Sequence, residues 1–264
     1  MTARIAAPRG ASVFAAAQTS SLAGDIAGNV RAHLRIARRA AEHGVRLLVF
    51  PELSLTGYEL ALLSSHRCAP EDELLAPLRV LAQDAGMSMA IGAPVISACG
   101  TGAAIGAIVL HGTGATEIYR KRHLHDGEER FAIAGTRDSQ CIDAGGTRVA
   151  LAICADTAQP AHAAAAAEDA ARLYAAGVLW TPAGYDADAE MMRGYAIAHG
   201  YPVLMANHGG PSGGYESAGR SAFWAPDGAC LACAPETGDA LVFAWRESEA
   251  WRGAVEPLAS APVG

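Results

Sequence analysis

Short apolar segments alternate with amphipathic segments along this chain, and that alternation restricts the fold more than any other feature. The segment ASVFAAAQT is typical of a buried strand, and residues 23–44 follow as a helix with Ile26, Val30 and Leu34 at helical spacing. Gly44 stands where a helix commonly ends, and VRLLVF is a second buried strand. A strand, a helix and a strand in this order predict the α/β class.

Further strands and helices follow in the same manner. Strands are predicted in MSMAIGAPVI, AAIGAIVL, ATEIYRK, TRVALAI, VLWTP and YPVLMAN, and the turn HGTG joins the second to the third. Helices are predicted over 161–177, between Pro160 and Gly177, and over 186–200. SAFWAPDGACLACAP is typical of a hairpin. These elements indicate a mixed sheet in a single domain over 1–264, with a short N-terminal tail (about 1–10) and a polar C-terminal tail (about 245–264).

Composition excludes several classes of partner. The chain has 264 residues, a formal net charge of −7 and no stripe of lysine and arginine, which argues against nucleic acid. No apolar run is long enough to span a membrane, and the first residues lack the apolar stretch of a secretory signal. Six cysteines without disulfide-framework spacing predict reduced thiols and a cytoplasmic protein.

Three chemically complementary residues stand where predicted strands end. Glu52 follows LLVF and one proline, Lys121 follows EIYR, and Cys154 follows VALAI. Ligands of α/β sheets bind beyond the carboxyl ends of the strands, so the three side chains can meet in one pocket. A carboxylate can take the thiol proton, and an ammonium can stabilise the oxyanion that forms when the thiolate attacks an amide.

The blocks that carry these residues resemble those of a known family. VFPELSLTGY, YRKRHL and LAICAD are similar to the signature blocks of the nitrilase, or carbon–nitrogen hydrolase, superfamily, in its order of glutamate, lysine and cysteine. GEERFAIAG, GVLWTPAGY, VLMANHGG and SAGRSAFWAPDG extend the resemblance over most of the chain. It implies a four-layer α-β-β-α sandwich that assembles as a homodimer or a higher homo-oligomer.

The resemblance also implies a role for each matching residue. Glu52 matches the general base, Lys121 the oxyanion-stabilising lysine and Cys154 the nucleophile that forms a thioester or thioimidate. Glu128 lies seven residues before Gly135, where relatives carry a second structural or catalytic glutamate, and it is predicted as a fourth catalytic residue. Its neighbour Glu129 is the alternative if the loop register differs by one residue.

Two positions depart from the family pattern. Ala155 follows the cysteine where relatives usually have an aromatic residue, which leaves room beside the thiol for a bulkier acyl group. Its backbone N–H can still donate to an oxyanion, so it is predicted to bind substrate together with Tyr58 and Tyr185. Ala198 replaces a glutamate that is common in relatives.

Other polar residues near these blocks have alternative interpretations. Asp156 is placed either to organise the turn after the cysteine and cap the next helix, or to take part in catalysis. His123 and His125 lack a distant third ligand, so no metal site is predicted.

The remaining cysteines are interpreted as structural. On a regular strand, an odd separation sends Cys230 and Cys233 to opposite faces, which argues against a shared metal. Cys68, Cys99 and Cys141 have no visible acid or base beside them and are expected to pack in the core.

The sequence therefore predicts a cytoplasmic hydrolase that needs no cofactor or metal. Its expected substrate is a small amide or N-carbamoyl compound, cleaved through a thioester on Cys154. Three alternatives stay open: a nitrilase, a papain-like peptidase in which His208 would be the base, and an inactive module that binds ligands on the same fold.

Overall fold

The computed structural model describes residues 10–137 and 140–259. Most of the predicted N-terminal tail falls on residues 1–9, which lie outside the described residues. No helix in the described ranges is long and apolar enough to cross a membrane.

The described ranges contain two β-sheets and four α-helices. In chain order the strands are β1 (Val13–Gln18), β2 (Val45–Val49), β3 (Ser88–Ile96), β4 (Ala103–Leu110), β5 (Thr116–Arg120), β6 (Cys141–Ala144), β7 (Thr147–Ile153), β8 (Leu173–Val178), β9 (Val203–Asn207), β10 (Ala222–Trp224), β11 (Cys230–Cys233), β12 (Ala240–Glu247) and β13 (Ala250–Pro257). The helices are α1 (Ile26–Glu42), α2 (Ala76–Ala85), α3 (Pro160–Glu168) and α4 (Tyr185–His199).

Each sheet has a parallel centre and antiparallel edges. The first sheet has the order β13-β12-β1-β2-β3-β4-β5, with β1, β2 and β3 parallel. The second has the order β11-β10-β9-β8-β7-β6, with β7, β8 and β9 parallel. Parallel strands are joined through helices that cover the sheet, which places α1 and α2 on the first sheet and α3 and α4 on the second.

The core consists of three layers of side chains, and the strands alternate between them. On β7, Leu151 and Ile153 face the layer between the sheets, whereas Ala150 and Ala152 face α3 and α4. A strand that is buried on both faces sends successive side chains to opposite layers. The predicted four-layer α-β-β-α sandwich is thereby confirmed.

Two glycines allow the chain after β2 to lie directly against both sheets. A Cβ built on Gly92 in β3 would lie 2.1 Å from the carbonyl oxygen of Pro51, and one on Gly177 in β8 would lie 2.5 Å from that of Phe50. Side chains at either position would displace this segment. The glycines therefore fix where Glu52, the next residue, enters the space between the sheets.

The predicted helix over 161–177 is wrong in its second half. α3 ends at Glu168, and Leu173–Val178 forms β8 between β7 and β9. The strand predicted in VLWTP is correspondingly misplaced, since β8 ends at Val178. The sequence LYAAGV is rich in alanine, which favours helices, but pairing with two parallel neighbours outweighs that propensity.

The predicted polar tail over about 245–264 is also wrong up to residue 257, and its residues 260–264 lie outside the described residues. β12 continues to Glu247, and β13 pairs with it along eight residues. β13 is the edge of its sheet. Its Arg252 is exposed and pairs with Glu247, whereas its Glu256 is buried and pairs with Arg39 of α1. Because an edge strand is partly exposed, its sequence contains polar residues and lacks the apolar pattern that would predict a strand.

The expected opposite orientation of Cys230 and Cys233 is wrong as well. Cys233 pairs with Ala222 and Cys230 with Trp224, and a register shift lies between the two pairs. A β-bulge adds one residue to β11, so the two cysteines lie on the same, exposed face.

Candidate active site

Glu52 enters the space between the sheets and is 1% exposed. Its backbone carbonyl accepts a hydrogen bond from Nε2 of His208 at 2.7 Å. Its carboxylate is held on one side only, because Oε1 accepts from Lys121 while Oε2 has no hydrogen-bond partner among the described residues. A buried carboxylate oxygen without a donor lowers the free energy of unfolding, so this oxygen is better explained by a role in chemistry than by a role in stability.

Lys121 follows β5 and is completely buried. Its Nζ donates to Oε1 of Glu52 at 2.6 Å and to Oε1 of Glu128 at 2.8 Å. Tyr119 is buried on the same side of the strand, whereas Arg120 on the other side is partly exposed, as strand alternation predicts. The ammonium of Lys121 therefore binds two carboxylates, and all three side chains are buried.

Glu128, and not Glu129, is the second glutamate of this cluster. Its Oε1 also accepts the hydroxyl hydrogen of Tyr58 at 2.5 Å, and its Oε2 accepts the backbone N–H of His125 at 2.8 Å. Glu129 is exposed, and within the described part of the chain its carboxylate accepts a hydrogen bond from the backbone N–H of Gly127 alone. The carboxylate of Glu128 therefore holds Lys121, the hydroxyl of Tyr58 and the loop that carries His125.

Cys154 lies at the end of β7, where the chain turns sharply. Its φ is 43°, a left-handed conformation that is unusual for a residue with a side chain and is often found at functional sites. The turn is held by Thr157, whose N–H and hydroxyl both donate to the carbonyl of Cys154. The Sγ lies 3.9 Å from the carbonyl of Leu179. The strain is consistent with a thiol directed out of the sheet.

Asp156 connects the turn at Cys154 to the loop after Lys121. Its Oδ2 accepts from the N–H of Ile153 and the hydroxyl of Tyr119, and its Oδ1 accepts from the N–H groups of Arg122 and His123. The structure therefore supports the interpretation of Asp156 as an organiser of the turn. These contacts fix the ends of β5 and β7, which belong to different sheets, relative to each other.

The charges of the cluster alter the pKa values of its members. Burial raises the pKa of Glu52, an effect that Lys121 opposes and Glu128 reinforces. Burial and the Glu52 carboxylate raise the pKa of the Cys154 thiol, which Lys121 opposes. Burial disfavours the ammonium of Lys121, but the surrounding acids outweigh it and raise the pKa of Lys121. The lysine therefore stays charged, and the carboxylate of Glu52, whose pKa is raised, is a stronger base than an ordinary glutamate.

A cavity of about 350 Å³ opens beside the cluster. It is lined by Glu52, Tyr58 and Cys154 and by Ala155, so three of the residues predicted in the site and the predicted N–H donor all border it. The cavity is also lined by residues that were not predicted to bind substrate, namely His125, Thr157, Ala158, Leu179, Trp180, Thr181, Gly184, Asp188 and Tyr215. Leu179 and Trp180 follow β8 directly, and the strand-end rule would have found them if β8 had been placed correctly.

Tyr185 does not line this cavity, contrary to the prediction. It is buried behind Trp180, with ring centroids 5.9 Å apart, and its hydroxyl donates to the carbonyl of Arg220. The guanidinium of Arg220 covers its other side, 3.9 Å from the ring centroid. Tyr185 is the first residue of α4, and the sequence does not show that the helix start turns this ring away from the cavity.

His208, the base of the peptidase alternative, is buried beside Glu52. The described contacts of the His208 ring join it to the carbonyl of Glu52, and burial lowers the pKa of His208 to about 4. This arrangement supports the backbone of Glu52 and gives no basis for the peptidase alternative.

Cys99 is exposed and does not pack in the core, contrary to the prediction. Hydrogen bonds with Ser97 and Thr101 lower the pKa of its thiol to about 7.

Comparison with known proteins agrees with this geometry. The family model for carbon–nitrogen hydrolases matches residues 14–254. A double mutant of the amidase from Nesterenkonia sp. AN1 in complex with acrylamide superposes with a TM-score of 0.82, at 24% identity over 92% of this chain and 93% of the other. A cysteine mutant of that amidase, described as a member of the nitrilase superfamily, gives 0.81, at 25% identity over 91% and 93%.

A further structure of the same amidase carries the acetamide moiety of fluoroacetamide on its active-site cysteine, and gives a TM-score of 0.79 at 25% identity over 90% of this chain and 92% of the other. No curated protein matched in a sequence search. The family match covers nearly all the described residues, including all four members of the buried cluster. This chain belongs to the carbon–nitrogen hydrolase family.

Proposed function

We propose that the chain hydrolyses small amides through a thioester on Cys154. The observation that supports this most strongly is the unpartnered Oε2 of Glu52 in the same cavity as the thiol, with Oε1 held by Lys121. A base needs an unoccupied lone pair near the proton that it removes, and this oxygen supplies one. The amidase neighbours, which bind acrylamide or carry an acetamide group on cysteine, support the same reaction.

In the proposed first half-reaction, Oε2 of Glu52 removes the proton from Cys154 and the thiolate attacks the amide carbonyl carbon. Nζ of Lys121 and the N–H of Ala155 stabilise the oxyanion of the tetrahedral intermediate. The C–N bond then breaks, and the proton on Glu52 passes to the nitrogen, which leaves as ammonia. The product of this half-reaction is a thioester on Cys154.

In the second half-reaction, the carboxylate of Glu52 removes a proton from water, and the hydroxide attacks the thioester carbonyl. The C–S bond breaks, the thiol regains its proton from Glu52, and the acid leaves. Glu128 does not touch the reacting atoms in this scheme; it positions Lys121 and the hydroxyl of Tyr58. The single domain, the homodimer or higher homo-oligomer and the cytoplasmic location stay predictions.

The test is an ammonia-release screen over small amides, N-carbamoyl compounds and nitriles, with the wild type beside Cys154→Ala. We expect release from at least one small amide by the wild type only. Release from nitriles alone would favour a nitrilase, and equal release by both proteins on every compound would favour an inactive module.

A substitution away from the cluster tests how the fold positions Glu52. A Cβ in Gly92→Ala would overlap the backbone of Pro51 and Leu53, so the segment that carries Glu52 must shift. Because displacement of a catalytic group by about 1 Å can cost about 10²-fold in rate, we expect a loss of ammonia release of that order. Steady-state kinetics and thermal unfolding measure the effect.

Gly194→Ala is the matched control, because nothing lies within 4 Å of a Cβ built there. This glycine is inside α4, where alanine is expected to raise the free energy of unfolding by about 0.5–1 kcal/mol without changing the rate. Equal rates for Gly92→Ala and the wild type would show that close packing at Gly92 does not position Glu52.

A further inference from the structure

A second carboxylate, Asp188, lines the cavity beside Cys154. It lies in the first turn of α4 and is partly buried, and its carboxylate has no hydrogen bond or ion pair with any described residue. A Cβ built on Gly184 would lie 3.3 Å from its Oδ2, so the absence of a side chain at Gly184 leaves space at the carboxylate. Desolvation raises the pKa of Asp188, and no neighbouring cation offsets it.

The side chains that line the cavity carry a net negative charge. Its lining includes the acids Glu52 and Asp188 but neither lysine nor arginine. Lys121 is not among the residues that line the cavity, and its ammonium already binds the carboxylates of Glu52 and Glu128. Among the described lining residues, His125 alone has a side chain that can become cationic. A substrate carboxylate would therefore meet repulsion here, whereas a cation would find an unpaired partner.

Aromatic rings complete the surroundings that an ammonium group prefers. Tyr58, Trp180 and Tyr215 line the same cavity, and the rings of Tyr58 and Tyr215 meet edge to face at 5.8 Å. Aromatic faces attract cations through their quadrupole, most strongly when water is excluded. A carboxylate without a partner and three aromatic rings are chemically complementary to an alkylammonium group.

We propose that the substrate is a small amide whose acyl chain ends in a primary ammonium, and that Asp188 binds this ammonium. The proposal rests on the proposed function and adds the substrate class. The alanine at position 155 leaves room beside the thiol for the acyl chain. The same arrangement excludes N-carbamoyl amino acids, whose carboxylate would face Asp188.

An acid in the first turn of a helix can also have a purely structural role, because it stabilises the helix N-terminus. Asp186 lies in the same turn, is 88% exposed and pairs with Arg220 at 3.0 Å. Asp186→Asn therefore removes the same charge from the same turn outside the cavity, and it is the matched control for Asp188→Asn.

The experiment measures binding to the Cys154→Ala protein by calorimetry, with γ-aminobutyramide and its neutral isostere pentanamide as ligands. Since hydrogen bonds to charged groups are worth about 1.5–3 kcal/mol, we expect γ-aminobutyramide to bind at least about tenfold more tightly. Asp188→Asn should abolish this preference, and Asp186→Asn should preserve it. Equal affinity for the two amides, no measurable binding of γ-aminobutyramide, or a preference unchanged in Asp188→Asn would overturn the proposal.

Turnover by the wild type, measured in parallel, separates this proposal from the proposed function. Preferential binding of γ-aminobutyramide without ammonia release from either amide would support the Asp188 site and contradict amide hydrolysis. Ammonia release from both amides at equal kcat/KM, with equal binding, would support hydrolysis and contradict the Asp188 site.

Discussion

Replacing Cys154 with alanine is expected to lower ammonia release from small amides by at least about 10⁴-fold, because Cys154 is the one cysteine among the described residues that line the cavity. The thiol borders the cavity beside Oε2 of Glu52, and its backbone is held in a left-handed conformation by contacts that do not involve the sulfur. We therefore expect the variant to fold like the wild type. Steady-state kinetics, with circular dichroism as the folding control, measures the effect.

Cys99→Ala is the matched control. Cys99 is exposed and its thiol pKa is lowered to about 7, so its acidity alone would make it a competing nucleophile. It has no carboxylate or lysine among its hydrogen-bond partners, so its loss should leave the rate unchanged. A large loss in Cys99→Ala together with a normal rate in Cys154→Ala would contradict the assignment.

Replacing Lys121 with methionine is expected to abolish ammonia release and to lower the free energy of unfolding. The ammonium is the shared partner of Glu52 and Glu128, and all three side chains are buried. Removing one partner of a buried ion pair leaves uncompensated charge and typically costs about 3–5 kcal/mol of unfolding free energy. Urea denaturation measures this loss, and the ammonia assay measures the loss of oxyanion stabilisation.

The double variant Lys121→Met with Glu128→Gln separates the two effects. It removes one of the two carboxylates that Lys121→Met leaves without their cation, so part of the lost unfolding free energy should return while activity stays absent. If activity returned with stability, Lys121 would be a structural residue and would have no role at the oxyanion.

The stability of Lys121→Met should also depend on pH. Without the ammonium, burial raises the pKa of Glu52 in the folded state with only Glu128 nearby, so the folded protein binds protons more readily than the unfolded chain. The free energy of unfolding should therefore fall as the pH rises from the ordinary glutamate pKa towards the raised one. Denaturation curves at several pH values above that ordinary pKa test the sign.

The cluster of Glu52, Lys121 and Cys154 could be predicted from the sequence because strand ends are local features. Glu52, Lys121 and Cys154 each follow an apolar segment that is a strand in the structure, and the alternation that buries Tyr119 also buries Lys121. The family resemblance supplied Glu128, and only the loop geometry distinguishes it from Glu129.

Features that depend on distant pairing could not be predicted in the same way. The alanine-rich segment Leu173–Val178 has helical propensity and becomes a strand only because β7 and β9 flank it. The bulge that brings Cys230 and Cys233 to one face depends on pairing with β10. Asp188 enters the cavity because of the orientation of α4, which the sequence does not encode locally.

Besides β12, whose apolar segment ALVFAW was not assigned to a strand, two elements were missed although local signals exist. α2 has Pro77 in its first turn and ends at Gly86, which is in the left-handed conformation, and both are ordinary helix boundaries. β6 pairs with β7 through the turn at Gly145 and Gly146, whose φ values are positive. Neither element contributes a side chain to the cluster of Glu52, Lys121, Glu128 and Cys154.

The most direct test of the account is the rate at which iodoacetamide alkylates Cys154 in the Cys99→Ala protein, with and without Glu52→Gln, followed by peptide mass spectrometry. If Glu52 removes the proton of the thiol, Cys154 reacts faster than the buried Cys68, and the glutamine variant slows the reaction by about 10²-fold. Equal rates at Cys154 in the two proteins, or a rate no higher than that of Cys68, would contradict a thiol activated by this carboxylate.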